Sequence, residues 1–246
     1  MATARRNNAT GAIFDDNAME HPFAEGSFRY VAKGKYTEGA RRGEKCVCKW
    51  FKTGSVYEDS YYEADLRTAK KCIQIISRFN KDRCIDRIVR VNLPEVWEIE
   101  AGHPLSGTKV LQEPYIKKYQ KFNSNSGWKA DGFEWGRAMQ ALSLYSYHIT
   151  GGKYLLCDLQ GGVYKDGVIL TDPVIMSRNK GAYGPTDLGP DGIKSFFANF
   201  EVNEYCQSYW RLPKKTKKVY KARKGTTMHH VGTRVSRQPM THGGHY

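Results

Sequence analysis

Two acids and one carboxamide stand where they could bind a divalent cation. An apolar run at 154–157 leads into Asp158 and Gln160, and a second apolar run at 168–170 leads into Asp172. An Asp-Gly pair between the two runs predicts a β-hairpin. Folding this hairpin about its middle brings the two acids to the same end. The period-two alternation of a strand then places Asp158 and Gln160 on one face.

Carboxylate and carboxamide oxygens are the ligands that a hard cation such as Mg²⁺ prefers. The pattern therefore suits a magnesium site at the open end of the hairpin. The alternative interpretation is a pair of solvated acids at the mouth of an ordinary hairpin.

Two cationic side chains lie on an earlier pair of predicted strands. Arg29 falls in the alternating stretch 28–34 and Lys49 in the stretch 45–51, and the two stretches are expected to form a hairpin. A lysine held in a cleft can bind phosphate as a compact point charge. An exposed strand lysine is the alternative for Lys49.

The other elements follow from the spacing of apolar residues. Apolar positions at helical offsets predict helices over 57–80 and 136–149 and a further helix at about 192–200, after which helical packing is expected to continue over 203–210. Shorter apolar stretches predict strands over 88–91, 96–99 and 109–116.

The composition favours a soluble cytoplasmic or nuclear protein with an anionic partner. The chain has 246 residues, is 40% hydrophobic and carries a formal net charge of +14. Such a charge favours nucleic acid, nucleotide phosphates, an acidic protein or a membrane surface as partner. No apolar run follows the first residues as in a signal peptide, and no segment approaches the roughly 18 apolar residues of a membrane span. The six scattered cysteines include no CxxC pair, so free thiols are expected.

The distribution of apolar residues predicts one folded domain between two flexible ends. Residues 1–20 are polar and aperiodic and are expected to form a disordered arm, followed by a folded domain over 21–212. The stretch 213–224 contains seven Lys or Arg and no acid. Residues 213–246 are therefore expected to form a disordered basic tail that could recruit acidic partners.

The motifs, taken in order, resemble the alpha-kinase family of atypical serine/threonine protein kinases, which includes myosin heavy chain kinases and elongation factor 2 kinase. The resemblance covers about 22–210 and rests on the segments 23–29, 47–49, 113–116, 147–152, 158–161, 170–173, 187–189 and 193–206. It implies an α+β, two-lobed, protein-kinase-like fold with ATP between the lobes. It also implies magnesium-assisted transfer of the γ-phosphoryl group of ATP to a Thr or Ser of a protein substrate.

The same resemblance implies a role for each candidate residue. Asp158 would be the central catalytic acid, Lys49 and Asp172 would complete the catalytic set, and Gln160 would hold magnesium together with Asp172. The main chain of 113–116 would meet the adenine. The ATP-binding residues implied by the resemblance are Arg29, Lys49, Asp65, Glu113, Ile116 and Lys121.

A glycine-rich loop on the C-terminal side is tied to the peptide substrate in this family. Gly184, Thr186 and Gly189 fall in the corresponding loop of this chain. Thr186 stands where the fuller pattern has a glycine. This departure bears on how the loop binds substrate and not on the fold.

A second departure concerns the structural zinc that family members usually carry. Leu144, Phe200 and Val202 stand at three of its ligand positions, and only Cys206 remains. One thiolate cannot build the four-coordinate site that zinc needs. No structural zinc is therefore expected, and the three apolar replacements fit a small hydrophobic core.

Two functions compete with that of an active kinase. One is a catalytically weak kinase-like scaffold, and the other is a basic nucleic-acid-binding protein, whose binding should weaken steeply with salt. Within the kinase interpretation, three threonines of the basic tail are candidate autophosphorylation sites: Thr216, Thr226 and Thr227.

Overall fold

The structure is a computed structural model that describes residues 2–14, 17, 21–103 and 105–229. The strands are β1 (Ala4–Arg5), β2 (Gly11–Phe14), β3 (Ala24–Glu25), β4 (Arg29–Glu38), β5 (Lys45–Phe51), β6 (Ile88–Asn92), β7 (Glu95–Glu98), β8 (Lys109–Pro114), β9 (Gln120–Lys121), β10 (Tyr154–Cys157), β11 (Gln160–Tyr164), β12 (Gly167–Leu170) and β13 (Val174–Ser177). The helices are α1 (Glu63–Lys81), α2 (Glu134–Ile149) and α3 (Gly189–Phe197).

The first sheet is antiparallel and places Lys49 in its middle. Its strand order is β2-β4-β5-β8-β7, and β3 pairs with the outer part of β4. Lys49 on β5 lies opposite Val31 on β4 and Leu111 on β8. Because β5 has a hydrogen-bonded strand on each side, the backbone of Lys49 is fixed from both directions.

The second sheet contains the predicted hairpin. Its order is β1-β6-β12-β11-β9, with β1, β6 and β12 parallel and β11 antiparallel to β12. The predicted hairpin is confirmed, but Lys165 and Asp166 form its two-residue loop, since Gly167 pairs with Tyr164 as the first residue of β12. Beyond its open end the chain forms a separate antiparallel pair, β10 with β13.

The main hydrophobic core lies between the helices and the second sheet. Helix α1 packs on β6, α2 on β10 and α3 on β13. The buried face of α1 includes Cys72, Ile75, Ile76 and Phe79 at helical spacing. Phe79 is fully buried and meets the ring of Tyr145 on α2 edge to face, with 5.2 Å between ring centroids. The aromatic contact therefore joins the two long helices.

Most predicted elements are confirmed, with shifted ends. The first helix begins at Glu63 rather than at 57, because a short 3-10 turn, Asp59–Tyr62, precedes it. The expectation of helical packing over 203–210 is wrong, since that stretch forms turns. Within the described ranges, no helix is both long and apolar enough to cross a membrane.

The expectation of a disordered arm over 1–20 is wrong for the residues that form β1 and β2. Strand β1 pairs with β6 of the second sheet, and β2 pairs with β4 of the first. Between them the fully buried Asn7 donates to the carbonyl oxygen of Gln112 (2.9 Å) and accepts from the hydroxyl of Tyr36. The local pattern is polar because hydrogen bonds to distant residues, rather than apolar burial, fix this segment.

The basic tail also differs from the prediction over its described part. Residues 213–229 have no regular secondary structure, as expected, but they lie against the folded domain, and Thr226 reaches Asp158. The rest of the predicted tail, 230–246, lies outside the described residues.

Replacing Phe79 with Ala should destabilise the chain by about 3–5 kcal/mol, because it removes a fully buried ring and leaves a cavity between the helices. Urea unfolding followed by circular dichroism measures the change. The exposed Lys70 on the same helix provides the control Lys70→Ala, which should stay within about 0.5 kcal/mol of the wild type. Equal losses for both variants would contradict the packing described here.

Candidate active site

The two central acids lie where the outer strand pair passes into the inner hairpin. Asp158 separates β10 from β11, and Asp172 separates β12 from β13. Both have left-handed backbones, with φ of 57° and 46°. This conformation is uncommon outside glycine, although aspartate tolerates it better than most residues. The structure thus places both acids at one end of the hairpin, but it breaks each strand there.

Gln160 begins β11, so strand alternation does not relate it to Asp158 as the sequence predicted. Its side-chain amide donates to the carbonyl oxygen of Asp172 at 3.3 Å. The carboxamide therefore lies beside the second acid and leaves its own oxygen available to a ligand of that acid.

Lys49 connects the two sheets through three hydrogen bonds. Its Nζ lies 2.8 Å from Glu113 Oε1, 2.7 Å from Asp172 Oδ2 and 3.1 Å from Thr171 Oγ1. Burial acts to lower the pKa of Lys49, but the charges of Asp172 and Glu113 outweigh it and the pKa is raised. Lys49 is therefore a buried ammonium whose three N–H donors are all occupied.

Glu113 is the permanent partner of this ammonium. Its carboxylate is buried, and its second oxygen accepts from Asn92 Nδ2 (3.1 Å) and from Thr171 Oγ1 (2.6 Å). The side chain of Asp172, in contrast, is 40% exposed. Partial desolvation acts to raise the pKa of Asp172, but the positive charges of Lys49, Arg29 and Lys121 outweigh it, so the pKa is lowered and this acid stays ionised.

Some of the backbone hydrogen-bonding groups that follow Glu113 already have partners within the chain. Asn92 donates to the carbonyl of Pro114 (2.9 Å), Arg5 donates to the carbonyls of Pro114 (3.4 Å) and Tyr115 (3.2 Å), and the N–H of Tyr115 donates to the carbonyl of Lys45. Ile116 is buried beyond these residues. The segment expected to meet adenine is thus held in place from both sheets.

Arg29 lies between aromatic rings and an acid of helix α1. Its guanidinium donates to Asp65 at 2.6 Å and lies over the rings of Phe28, Phe51 and Tyr62 at 4.6, 4.9 and 5.5 Å. Burial lowers its pKa, but Asp65 raises it by more. Within the described structure the buried Nε of Arg29 has no hydrogen-bond partner.

Asp158 has partners of its own, different from those of Asp172. Lys121 Nζ lies 3.0 Å from its Oδ1, and the backbone N–H of Asn125 donates to the same oxygen at 3.1 Å. The acid is 1% exposed, and this burial raises its pKa, although Lys121, Thr226 and Asn125 offset part of the effect. A buried carboxylate with a raised pKa is suited to accept a proton from a hydroxyl.

The glycine-rich loop lies beside Asn125. Gly184 and Gly189 adopt φ of 89° and 69°, and the carbonyl of Thr186 accepts from Asn125 Nδ2 at 2.9 Å. Asp187 organises the loop. Its fully buried carboxylate accepts from the N–H groups of Ser177, Tyr183 and Gly189 and from the hydroxyl of Ser177.

Sequence reasoning missed Asn125, Thr171, Asn92 and the positioning role of Asp187. Asn125 belongs to the segment Asn123–Ser126, which the sequence analysis left without a role but which the structure buries completely. The only signal was its content: four small polar residues without a charge inside a lysine-rich stretch. Such residues can satisfy buried main-chain groups, whereas charged residues seldom do.

The residues at the former zinc positions divide into two groups. Leu144 is buried, and Phe200 and Cys206 pack against the same core, whereas Val202 is 61% exposed. The expected conversion into a small core therefore applies to Leu144 and Phe200 but is wrong for Val202. Among the described residues no three His, Cys, Asp or Glu side chains form a metal-binding group.

A family model described as the alpha-kinase family matches residues 24–206. Alpha-protein kinase 1 of Dictyostelium discoideum is 31% identical over 188 residues, which is 75% of this chain and 13% of that protein. Human eukaryotic elongation factor 2 kinase is 29% identical over 227 residues, which is 86% of this chain and 30% of that protein. The chain therefore spans only a minor part of these relatives.

Solved structures share the fold at low sequence identity. A novel alpha kinase from Entamoeba histolytica superimposes with a TM-score of 0.64 and 23% identity, covering 85% of this chain and 82% of that one. The alpha-kinase domain of myosin heavy chain kinase A in complex with AMP superimposes with a TM-score of 0.66 and 20% identity, covering 79% and 88%. The chain thus shares the fold of solved alpha-kinase domains.

Replacing Lys49 with Met should destabilise the chain by about 3–5 kcal/mol, because it leaves the buried Glu113 charge without its cation. The double variant Lys49→Met, Glu113→Gln removes both charges and should recover part of that loss. Urea unfolding at neutral pH measures the free energy of unfolding of the double variant and of each single variant, Lys49→Met and Glu113→Gln. A double variant that loses the sum of two independent single effects would contradict the coupling.

Proposed function

Because the chain belongs to the alpha-kinase family, we propose that it is an ATP-dependent protein kinase that phosphorylates Thr or Ser. The observation that carries the proposal is the pairing of Lys49 with Asp172 and of Lys121 with Asp158 at the same end of the hairpin, where the charge of Lys121 also acts on Asp172. Similar solved domains include complexes with ATP and with AMP-PNP. Phosphoryl transfer depends mainly on positioning and on neutralising charge, and this cluster supplies both.

Lys49 and Arg29 are the proposed ligands of the ATP phosphates. Lys49 has no free N–H in the structure, so binding a phosphate requires it to exchange one acceptor. Asp172 is the partner to leave, because it is solvent-exposed whereas Glu113 is buried. Arg29 keeps its bond to Asp65, and its buried guanidinium contributes positive charge next to Asp172 rather than a free donor.

Asp172 and Gln160 are the proposed protein ligands of magnesium. Once Lys49 turns to the phosphates, the ionised Asp172 carboxylate and the neighbouring Gln160 oxygen face the cleft. Mg²⁺ commonly takes one or two carboxylates from the protein and the rest of its oxygens from phosphates and water. A bound magnesium ion would neutralise charge on the phosphates, and the small donor set of this site fits such an ion.

Asp158 is the proposed base for the acceptor hydroxyl. It is buried, its pKa is raised, and Lys121 fixes one side of its carboxylate. Asn125 and the loop containing Gly184, Thr186 and Gly189 lie next to it and form the side from which a peptide would approach. A hydroxyl there can hydrogen-bond to Asp158 and attack a phosphoryl group.

Replacing Asp158 with Ala should lower transfer of labelled phosphate from ATP to a basic Thr-containing peptide by at least about 10²-fold, because the base for the hydroxyl is lost. ATP binding should persist, since Lys49 and Arg29 remain. The exposed hairpin-turn acid Asp166 offers the control Asp166→Asn, which should keep wild-type transfer. Undiminished transfer by Asp158→Ala would contradict the assignment of Asp158 as the base.

A further inference from the structure

We propose that Thr226 is a substrate of this chain's own active site, bound in cis, and that its phosphorylation releases the tail from the cleft. The inference rests on the proposed kinase function. It names the first substrate of that site and a form of regulation that follows from it.

The tail is bound through its main chain, as an extended peptide substrate would be. The N–H of Tyr220 donates to Ser195 Oγ (3.0 Å), and the same hydroxyl donates to the carbonyl of Tyr220 (3.1 Å). Ser126 makes the same pair of contacts with the N–H and carbonyl of Arg223, at 3.1 and 3.3 Å. Ser195 and Ser126 thus bind the main chain of the tail at two successive points, Tyr220 and Arg223, and set the direction in which it runs.

Asn125 fixes the register of the tail next to the central acid. Its side-chain amide accepts from the N–H of Thr227 (2.9 Å) and donates to the carbonyl of Thr227 (2.7 Å). The backbone N–H of Asn125 itself donates to Asp158. Beyond this point the N–H of His229 donates to the carbonyl of Pro185 in the glycine-rich loop, at 3.0 Å.

With this register the hydroxyl of Thr226 lies on the central acid. Thr226 Oγ1 donates to Asp158 Oδ2 at 2.7 Å and lies 3.3 Å from Lys121 Nζ. Its carbonyl accepts from Ser27 Oγ at 3.2 Å, on the opposite side of the cleft. Of the three candidate threonines, Thr216 is exposed, and Thr227 is held by its main chain. The structure therefore selects Thr226 as the acceptor.

The proposed step is a balanced phosphoryl transfer from ATP. The proton of the Thr226 hydroxyl passes to Asp158, and Oγ1 forms a bond to the γ-phosphorus. The bond from that phosphorus to the oxygen bridging to the β-phosphate breaks. The products are phosphothreonine and ADP, and Asp158 afterwards loses its proton to solvent.

The product no longer fits the site that made it. Phosphothreonine has no hydroxyl proton to donate to Asp158, and it adds about two negative charges beside a buried carboxylate. Before the reaction Thr226 occupies the position that an external hydroxyl needs. Phosphorylation in cis therefore clears the cleft for protein substrates.

The test incubates the 246-residue chain with magnesium-ATP and maps phosphate by mass spectrometry at two protein concentrations tenfold apart. Phosphate should appear on Thr226 at the same first-order rate at both concentrations. Thr226→Val should lose this phosphate, and Thr227→Val, which keeps its main-chain bonds to Asn125, should retain it. A rate that scales with concentration would overturn the claim of transfer in cis.

A basic Thr-containing peptide in the same reaction separates this inference from the kinase function. Phosphate on the peptide but none on Thr226 overturns the inference and leaves the kinase function standing. Phosphate on neither overturns both.

Hydrogen exchange tests the release. The amides of Tyr220, Arg223 and Thr227 should exchange about tenfold faster or more after ATP treatment. The negative phosphate on Thr226 repels the Asp158 carboxylate, and the tail then leaves the partners of these amides in the folded domain. The same treatment should leave exchange unchanged in Thr226→Val. Unchanged protection in a wild type that carries phosphate on Thr226 would overturn the release.

Discussion

The buried ammonium of Lys49 is the interaction on which the rest of the site depends. It joins a central strand of one sheet to the break in the other, with one permanent partner, Glu113, and one exchangeable partner, Asp172. Removing a buried charge from such a pair is costly, whereas exchanging one acceptor for another of the same sign is not. The cleft can therefore take up phosphate and free an acid for a cation without unfolding its own core.

Asp158 completes this arrangement at the other break of the hairpin. The left-handed backbones of Asp158 and Asp172 turn both acids out of the strand pairing and into one cleft. Such conformations are unfavourable unless the surroundings hold them in place. Here the outer strand pair, Lys49 and Lys121 do so, and Thr226 of the tail provides a further contact. The strain, the ion pairs and the bound tail are thus parts of one structural solution.

The sequence was informative wherever local pattern decides structure. Apolar spacing and the Asp-Gly turn were enough for the three α-helices, the Lys49 hairpin and the hairpin between the acids, although the same spacing wrongly extended helical packing over 203–210. Long-range polar contacts left no such pattern. Asn7 is buried in a segment that reads as disordered, and Asn125 lies in a loop whose contacts come from the glycine-rich loop and the tail. The tail itself reads as solvated because its binding uses main-chain groups, which every sequence has.

The most direct test of the central claim compares how magnesium changes the affinity for ATP. Calorimetric titration with and without magnesium should show, for the wild type, binding that tightens by about tenfold or more, a difference of about 1.4 kcal/mol. Asp172→Asn should bind ATP alone at least as well as the wild type, because Lys49 then has to release a neutral amide oxygen instead of a carboxylate, but should lose the magnesium effect. An Asp172→Asn variant with the full magnesium effect would contradict the exchange of partners at Lys49.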